Sequence, residues 1–129
     1  MKARSRLPKR GVIQATEDLK IKQKIEDMMA YAYPALAQFP KAEKHALAAE
    51  IKASIRRLLQ LTIICNKKYF KKTTLQDLDV ELDILRSYVR LAFNLHFLPP
   101  KKYEYWSRLN DEIGRMIGGW IKSQKDNVK

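Results

Sequence analysis

The segment from Leu75 to Phe97 carries two apolar stripes at helical spacing, more than one helix of a small bundle needs. An α-helix turns by about 100° per residue, so residues three or four apart share a face. The first stripe predicts contact with the core of the chain, and the second, about a quarter to a third of a turn away, predicts contact with a partner. The first comprises Leu78, Leu82, Leu85, Val89, Ala92 and His96, and the second, an expected oligomer interface, comprises Ile84, Tyr88, Leu91 and Leu95.

Capping residues and helix-breaking residues set the bounds of this helix and of three others. Thr16 is a suitable N-cap, Pro40 can open a helix, and Thr73 or Thr74 can cap the helix with two stripes. Pro34 should disturb the end of the first helix, because proline lacks an N–H group. We predict helices over residues 16–38, 41–66, 75–97 and 100–124.

The same spacing predicts which faces of these helices point inward. The first helix has Ile21, Ile25, Met28, Met29, Ala32 and Leu36, and the second has Leu47, Ile51, Ile55, Leu58, Thr62 and Cys65. The fourth has Tyr105, Leu109, Ile113, Met116 and Trp120, with Trp106, Ile117 and Ile121 as a second apolar flank.

Four long helices with short connections, and no strand pattern, predict an all-α fold. We expect an up-down-up-down antiparallel four-helix bundle over residues 16–125, with a flexible basic arm over residues 1–15 and a short basic tail over residues 126–129. This topology gathers the arm, the connection of residues 67–72 and the basic end of the fourth helix at one end of the bundle. In a ring-like oligomer that end becomes a basic ring.

The chain carries 26 Lys and Arg against 14 Asp and Glu, a net charge of +12. Solubility does not require this excess, so it favours a polyanionic partner. Nucleic acid is the commonest such partner, and an anionic membrane or a merely solvated surface are the alternatives. The single Cys65 cannot form an internal disulfide and fits a reducing compartment as a small buried side chain. No apolar run reaches the ~20 residues of a membrane span, so we expect a cytoplasmic protein without a membrane partner.

The second helix is predicted to carry a basic stripe with no acid at helical spacing: Lys41, His45, Lys52 and Arg56. It fits either contact with phosphate oxygens or a solvated face. The fourth helix has a similar stripe, but Glu104 can pair with Arg108 and Asp111 with Arg115, so we expect it not to be a primary binding face.

Two further segments carry candidate binding residues. Asp83 can pair with Arg86, whereas Arg90 has no acid three or four residues away. In the connection Lys67, Lys68, Tyr69, Phe70, Lys71 and Lys72, the aromatic rings can stack on unpaired bases, or Phe70 can tuck under the bundle end.

Three glycines, Gly114, Gly118 and Gly119, lie inside the fourth helix, where glycine is less favourable than alanine by up to about 1 kcal/mol. We expect close packing against another backbone or a tryptophan ring, with ligand binding as the alternative. The sequence contains no motif typical of a catalytic site, a metal site or a cofactor site. His96 is expected to be buried and hydrogen-bonded. We therefore interpret the chain as a binding protein, not an enzyme.

Three stretches resemble the accessory variability determinant (Avd) family of diversity-generating retroelements, which is related to the four-helix proteins of 23S ribosomal RNA intervening sequences. Together they span roughly residues 20–124, most of the chain. The stretches are Tyr33-Pro34 with Phe39-Pro40-Lys41 and Lys44-His45, then Leu85-Arg86 with Arg90-Leu91, and then Gly114-Arg115-Met116-Ile117-Gly118-Gly119-Trp120-Ile121.

The resemblance implies a four-helix bundle that assembles as a homopentameric, tapered basic barrel. It implies two partners, the reverse transcriptase of the element and its template RNA (or DNA), and a role in mutagenic cDNA synthesis. Of the functional positions of the family, the arginines Arg86 and Arg90 match. The alternatives are a ribosomal-RNA-associated four-helix protein without a polymerase partner, and a purely structural oligomer.

Overall fold

The computed structural model describes the backbone of residues 10–126 and the side chains of residues 19–125. Four long helices make up nearly all of this part of the chain: α1 (Arg10–Ala37), α2 (Leu47–Lys67), α3 (Lys72–Asn94) and α4 (Pro100–Asp126). A short 3₁₀ helix, Lys41–Glu43, lies between α1 and α2, and residues 10–126 contain no strand. Each helix packs against the next, and α1 also packs against α4, so the four helices form a closed square. The prediction of an all-α, four-helix bundle is confirmed.

The predicted inward faces of α1, α2 and α3 form most of the core. Ile25, Ile51, Ile55 and Leu78 are completely buried, as are most of the other residues of these stripes. The helix α1 begins at Arg10, earlier than the predicted Thr16, so residues 10–15 of the predicted arm have helical backbone. Residues 1–9 of that arm and residues 127–129 of the predicted tail lie outside the described residues.

Polar contacts add to the packing between neighbouring helices. The Ser54 hydroxyl on α2 donates to Glu81 on α3 at 2.7 Å, and Arg57 lies 3.8 Å from the same carboxylate. Between α1 and α4, the Lys24 ammonium lies 3.0 Å from Glu112, and this hydrogen bond raises the pKa of Lys24. Glu81 thus links α2 and α3 through two side chains of α2.

The helix α2 begins at Leu47 and not at Lys41, so the predicted second helix is wrong over its first turns. Ala46 precedes it with φ −116° and ψ −105°, outside the helical region, and the chain changes direction there. The Leu47 N–H donates to the Glu43 carboxylate at 3.3 Å, which favours a helix start at this point because acids stabilise helix N-termini. Lys41 and His45 therefore precede α2 and do not extend its basic stripe.

Both ends of α3 differ from the prediction. It begins at Lys72, and neither Thr73 nor Thr74 caps it. It ends at Asn94, and His96, with φ +66°, is exposed instead of buried. The His96 N–H donates to the Phe93 carbonyl at 3.0 Å and the Phe97 N–H to the Ala92 carbonyl at 2.9 Å. This is a Schellman C-cap in which histidine takes the left-handed position that glycine usually occupies, so the helical stripe stops before His96.

The helix α4 buries a different face in its first half from the one predicted. Its buried residues are Trp106, Asn110, Ile113, Ile117 and Trp120, spaced four, three, four and three. Tyr105 is exposed and packs its ring on Tyr31 of α1, with centroids 4.6 Å apart. Partial burial, and to a lesser degree Tyr105, raises the pKa of Tyr31. The prediction was wrong here because the polar Asn110 interrupts the apolar pattern at a core position.

Candidate nucleic-acid interface

Lys52 and Arg56 lie on the side of α2 that faces α1, where both contact Tyr33. The Lys52 ammonium lies 5.0 Å from the centroid of the Tyr33 ring, and Arg56 donates to the Tyr33 hydroxyl at 3.4 Å. Within the described residues, neither cation has a carboxylate oxygen within 4.0 Å. We call these three residues the Tyr33 face. It holds two cations in place without neutralising them.

The structure separates the other two members of the predicted stripe from α2. Lys41 belongs to the 3₁₀ helix and His45 to the turn that follows it, and both are exposed. The contact of Tyr33 with Lys52 and Arg56 was not predicted, because a helical wheel drawn for α2 cannot show a ring that α1 supplies. The Tyr33-Pro34 pair in the family resemblance was the one available signal.

The connection between α2 and α3 is shorter than predicted, since Lys67 ends α2 and Lys72 begins α3. Lys71 points to the backbone, where its ammonium donates to the carbonyls of Cys65 at 2.7 Å and Lys68 at 2.6 Å. It therefore caps the negative end of α2, which is a structural role. Lys67, Lys68 and Lys72 are exposed and have no carboxylate within 4.0 Å in the part of the chain described.

The aromatic residues of this connection are fully presented to solvent. Tyr69 is 87% exposed and Phe70 is 83% exposed, so the alternative in which Phe70 tucks under the bundle is wrong. At the same end, Lys72 and Lys125 line a groove of about 330 Å³ that also includes Leu75 and Ile121. The start of α3 and the end of α4 lie side by side at this groove, as the antiparallel order predicts.

Arg86 and Arg90 lie one helical turn apart but in different surroundings. The Arg86 guanidinium lies 3.4 Å from Asp83 and 3.2 Å from Asp111 on α4, and it also donates to the Asn110 carbonyl at 3.4 Å. Arg90 is exposed and has no carboxylate within 4.0 Å among the described residues. The Asp83 pair was predicted. The Asp111 pair was not, since Asp111 was assigned to Arg115.

Arg86 also explains one of the three glycines. A Cβ atom on Gly114 would lie 2.6 Å from the Arg86 Nη2 atom and 3.3 Å from the Leu82 Cδ2 atom. Gly114 is therefore small because another side chain crosses it, although that side chain is an arginine and not the backbone or tryptophan ring that was predicted. A Cβ atom on Gly118 or Gly119 would have no neighbour within 4 Å, so packing within the described chain does not explain these two residues. We call Asp83, Arg86, Asp111 and Gly114 the Arg86 group.

On the outer side of α3, the second apolar stripe is uncovered. Ile84, Leu91 and Leu95 are exposed, and Tyr88 is half-buried. Val80, one turn earlier, is also exposed and extends the stripe beyond the four predicted residues. The uncovered stripe is what an oligomer interface requires, and the oligomer itself stays a prediction.

The described residues provide neither a metal site nor a membrane-spanning helix. No three His, Cys, Asp or Glu side chains there are grouped closely enough to hold a metal ion. None of the helices there combines the length and the apolar character needed to cross a bilayer.

Comparison with known protein families gives a match to this chain. No curated protein matches the chain. A family model described as bAvd-like matches residues 19–124, which begin within α1, end within α4 and contain all three motif stretches. The Tyr33 face, the Arg86 group and Arg90 all fall inside this range. The predicted resemblance is confirmed, and the chain belongs to the bAvd-like family.

Proposed function

We propose that this protein is a non-catalytic accessory subunit of a diversity-generating retroelement. It forms a basic oligomeric scaffold, which binds the reverse transcriptase of the element and its template RNA and thereby supports mutagenic cDNA synthesis. The observation that carries the proposal is the match of the bAvd-like family over all four helices. The homopentamer, the polymerase and the RNA enter from the family resemblance described above.

The distribution of charge supports the RNA part of the proposal. Each chain has a net charge of +12, and five chains would carry five times as much. Lys52 and Arg56 lack carboxylate partners within the described residues. Lys52 lies over the Tyr33 ring, and Arg56 donates to the Tyr33 hydroxyl. Such cations can bind phosphate without first giving up an ion pair, and the affinity then falls steeply as salt rises.

The two family arginines take different parts in this proposal. Arg90 is exposed, has no carboxylate within 4.0 Å in the described range, and is available to a partner. Arg86 is held by Asp83 and Asp111, so it positions α3 against α4. We expect Arg90 to contact the polymerase or the RNA directly, and Arg86 to act through the geometry of α3.

The polymerase part is tested by co-expression with the reverse transcriptase of the neighbouring locus, followed by pulldown with and without RNase at moderate salt. We expect co-purification that survives RNase, which indicates direct protein contact. Loss of the polymerase only after RNase would mean that RNA bridges the two proteins. Absence of the polymerase in both samples would contradict the proposal and favour the ribosomal-RNA-associated alternative.

The RNA part is tested with the double variant Lys52→Ala/Arg56→Ala. We expect its dissociation constant for template RNA at about 0.1 M salt to rise at least ~10-fold, and the salt dependence to become shallower by about 0.7 per lost phosphate contact. The matched control is Lys22→Ala/Arg108→Ala. It removes the same charge from cations that already pair with Glu26 and Glu104 on their own helices. Equal loss in both variants would mean that only net charge matters.

A further inference from the structure

The connection between α2 and α3 presents the two most exposed large apolar side chains of residues 19–125. Tyr69 is 87% exposed and Phe70 is 83% exposed. Their ring centroids lie 4.8 Å apart and their planes cross at 85°. Each ring therefore packs its edge or one face on the other ring, and leaves the rest of its surface to solvent. Rings of this size are usually covered in a folded protein, so a partner that covers them is expected.

The backbone of this connection is anchored. The Lys71 ammonium donates to the carbonyls of Cys65 and Lys68, and the Lys68 N–H donates to the Ile64 carbonyl at 3.1 Å. Helical residues adjoin it on both sides, since α2 ends at Lys67 and α3 begins at Lys72. The two rings are thus carried by a short, tied segment, and binding does not require a long loop to become ordered.

Lysine residues flank the two rings in the sequence. Lys67, Lys68 and Lys72 are exposed and have no carboxylate within 4.0 Å in the described part of the protein. Lys125, at the end of α4, shares the groove with Lys72. Aromatic faces among cations that lack acid partners match a ligand with flat apolar rings and a negatively charged backbone. A purely apolar partner would provide no negative charge to pair with these lysines.

We propose that the Tyr69–Phe70 connection is a stacking site for unpaired nucleotides of the bound RNA, with Lys67, Lys68 and Lys72 on the adjacent phosphates. This inference rests on the proposed function, because it assigns the form of RNA that this end of the bundle binds. Bases within a duplex cover each other's faces, so only unpaired bases can stack on a side chain. Because the two ring planes cross at 85°, bases stacked on them cannot form one continuous stack, and the strand bends at this connection.

The inference is tested on the full chain by fluorescence anisotropy, with a labelled oligouridylate and an RNA duplex of the same length as probes. For Tyr69→Ala/Phe70→Ala we expect about 10-fold weaker binding of the oligouridylate, unchanged binding of the duplex, and an unchanged salt dependence, because no ionic contact is lost. Tyr69→Trp/Phe70→Trp should retain oligouridylate binding, since tryptophan also stacks. Lys67→Ala/Lys68→Ala should weaken the binding of both probes and reduce its salt dependence.

The control is Leu19→Ala/Ile63→Ala, which removes two exposed apolar side chains elsewhere and should bind like the unchanged protein. Oligouridylate binding that survives Tyr69→Ala/Phe70→Ala would overturn the inference and leave the proposed function intact. If the unchanged protein binds neither probe, both the inference and the RNA part of the proposed function are overturned. If Tyr69→Ala/Phe70→Ala forms a smaller oligomer in size-exclusion chromatography, the rings belong to a subunit interface. If the same variant loses binding to anionic lipid vesicles, the rings belong to a membrane-binding surface. Either result would overturn the inference.

Discussion

The Arg86 group and the Tyr33 face hold their cations in opposite ways. Arg86 lies between two carboxylates, at 3.4 Å from Asp83 and 3.2 Å from Asp111. Lys52 and Arg56 contact the ring and the hydroxyl of Tyr33, a neutral side chain. The first arrangement compensates the positive charge within the protein, and the second positions it while leaving it available. Basic residues that look equivalent in the sequence therefore differ in what they can offer to a phosphate.

The rotation of α4 supplies one of the two carboxylates that lie beside Arg86. With Trp106 and Asn110 facing the core, Asp111 lies at the edge of the helix beside α3, where it reaches Arg86. With Tyr105 facing the core, as the sequence pattern suggested, α4 would be rotated by about 100° and Asp111 would move with it. The contact between Arg86 and Asp111 thus depends on which aromatic residue of α4 is buried, whereas the contact with Asp83 lies within α3.

The largest effect is expected from Trp106→Ala. Trp106 is completely buried, and loss of its ring leaves a cavity and removes the residue that determines the rotation of α4. We expect a loss of about 3–5 kcal/mol in the free energy of unfolding, measured by urea denaturation. Tyr105→Ala is the matched variant. Tyr105 is 45% exposed and contacts only the Tyr31 ring among aromatic residues of the described chain, so its loss should be about 1 kcal/mol. A larger loss for Tyr105→Ala than for Trp106→Ala would mean that α4 is rotated as the sequence pattern suggested.

The next effect compares the two family arginines. Arg86→Ala removes two ion pairs and the hydrogen bond to the Asn110 carbonyl, and we expect about 1–2 kcal/mol less stability. Arg90→Ala removes no ion pair seen among the described residues and should change stability by less than about 0.5 kcal/mol. Urea denaturation at low and high salt measures both. A larger loss for Arg90→Ala than for Arg86→Ala would contradict the distinction between them.

Much of the fold could be predicted from the sequence, because three of the helices have uninterrupted apolar stripes. Leu78, Leu82, Leu85 and Val89 on α3 are all buried, and three of the four residues of the predicted second stripe are exposed. The first half of α4 could not be predicted in this way, because Asn110 is polar but buried. The end of α3 was missed for a similar reason. A histidine takes the left-handed C-cap position, where the usual signal is glycine.

The candidate site was less predictable than the fold, because its contacts join different helices. Spacing along one helix predicted the Asp83–Arg86 pair and showed that Lys52 and Arg56 have no acid at helical spacing. It could not show that Asp111 approaches Arg86 from α4. Nor could it show that Lys71 turns back to cap α2, since that depends on how the chain leaves one helix and enters the next.

A smaller effect is expected from Gly114→Ala, which tests the Arg86 group from the other helix. Alanine favours the helix by about 1 kcal/mol, but its Cβ atom would displace the Arg86 guanidinium, so the two effects should nearly cancel. In an Arg86→Ala background the guanidinium is absent, and Gly114→Ala should then stabilise the protein by roughly 0.5–1 kcal/mol. A double-mutant cycle by urea denaturation measures this coupling. Additive effects of the two substitutions would show that Arg86 does not lie over Gly114.

The smallest effect is expected from Tyr33→Phe, which separates the two contacts of the Tyr33 face. The substitution removes the hydroxyl that accepts the 3.4 Å hydrogen bond from Arg56 and retains the ring below Lys52. Because this bond is long and exposed, we expect a stability change of about 0.5 kcal/mol or less. RNA affinity should fall about 2-fold, since Arg56 loses its orientation but not its charge. Tyr33→Leu, which removes the ring as well, should weaken RNA binding further and serves as the comparison by fluorescence anisotropy. Equal binding by Tyr33→Leu and the unchanged protein would show that the cations bind phosphate without being positioned, and the Tyr33 face would then differ from the Arg86 group only in lacking carboxylates.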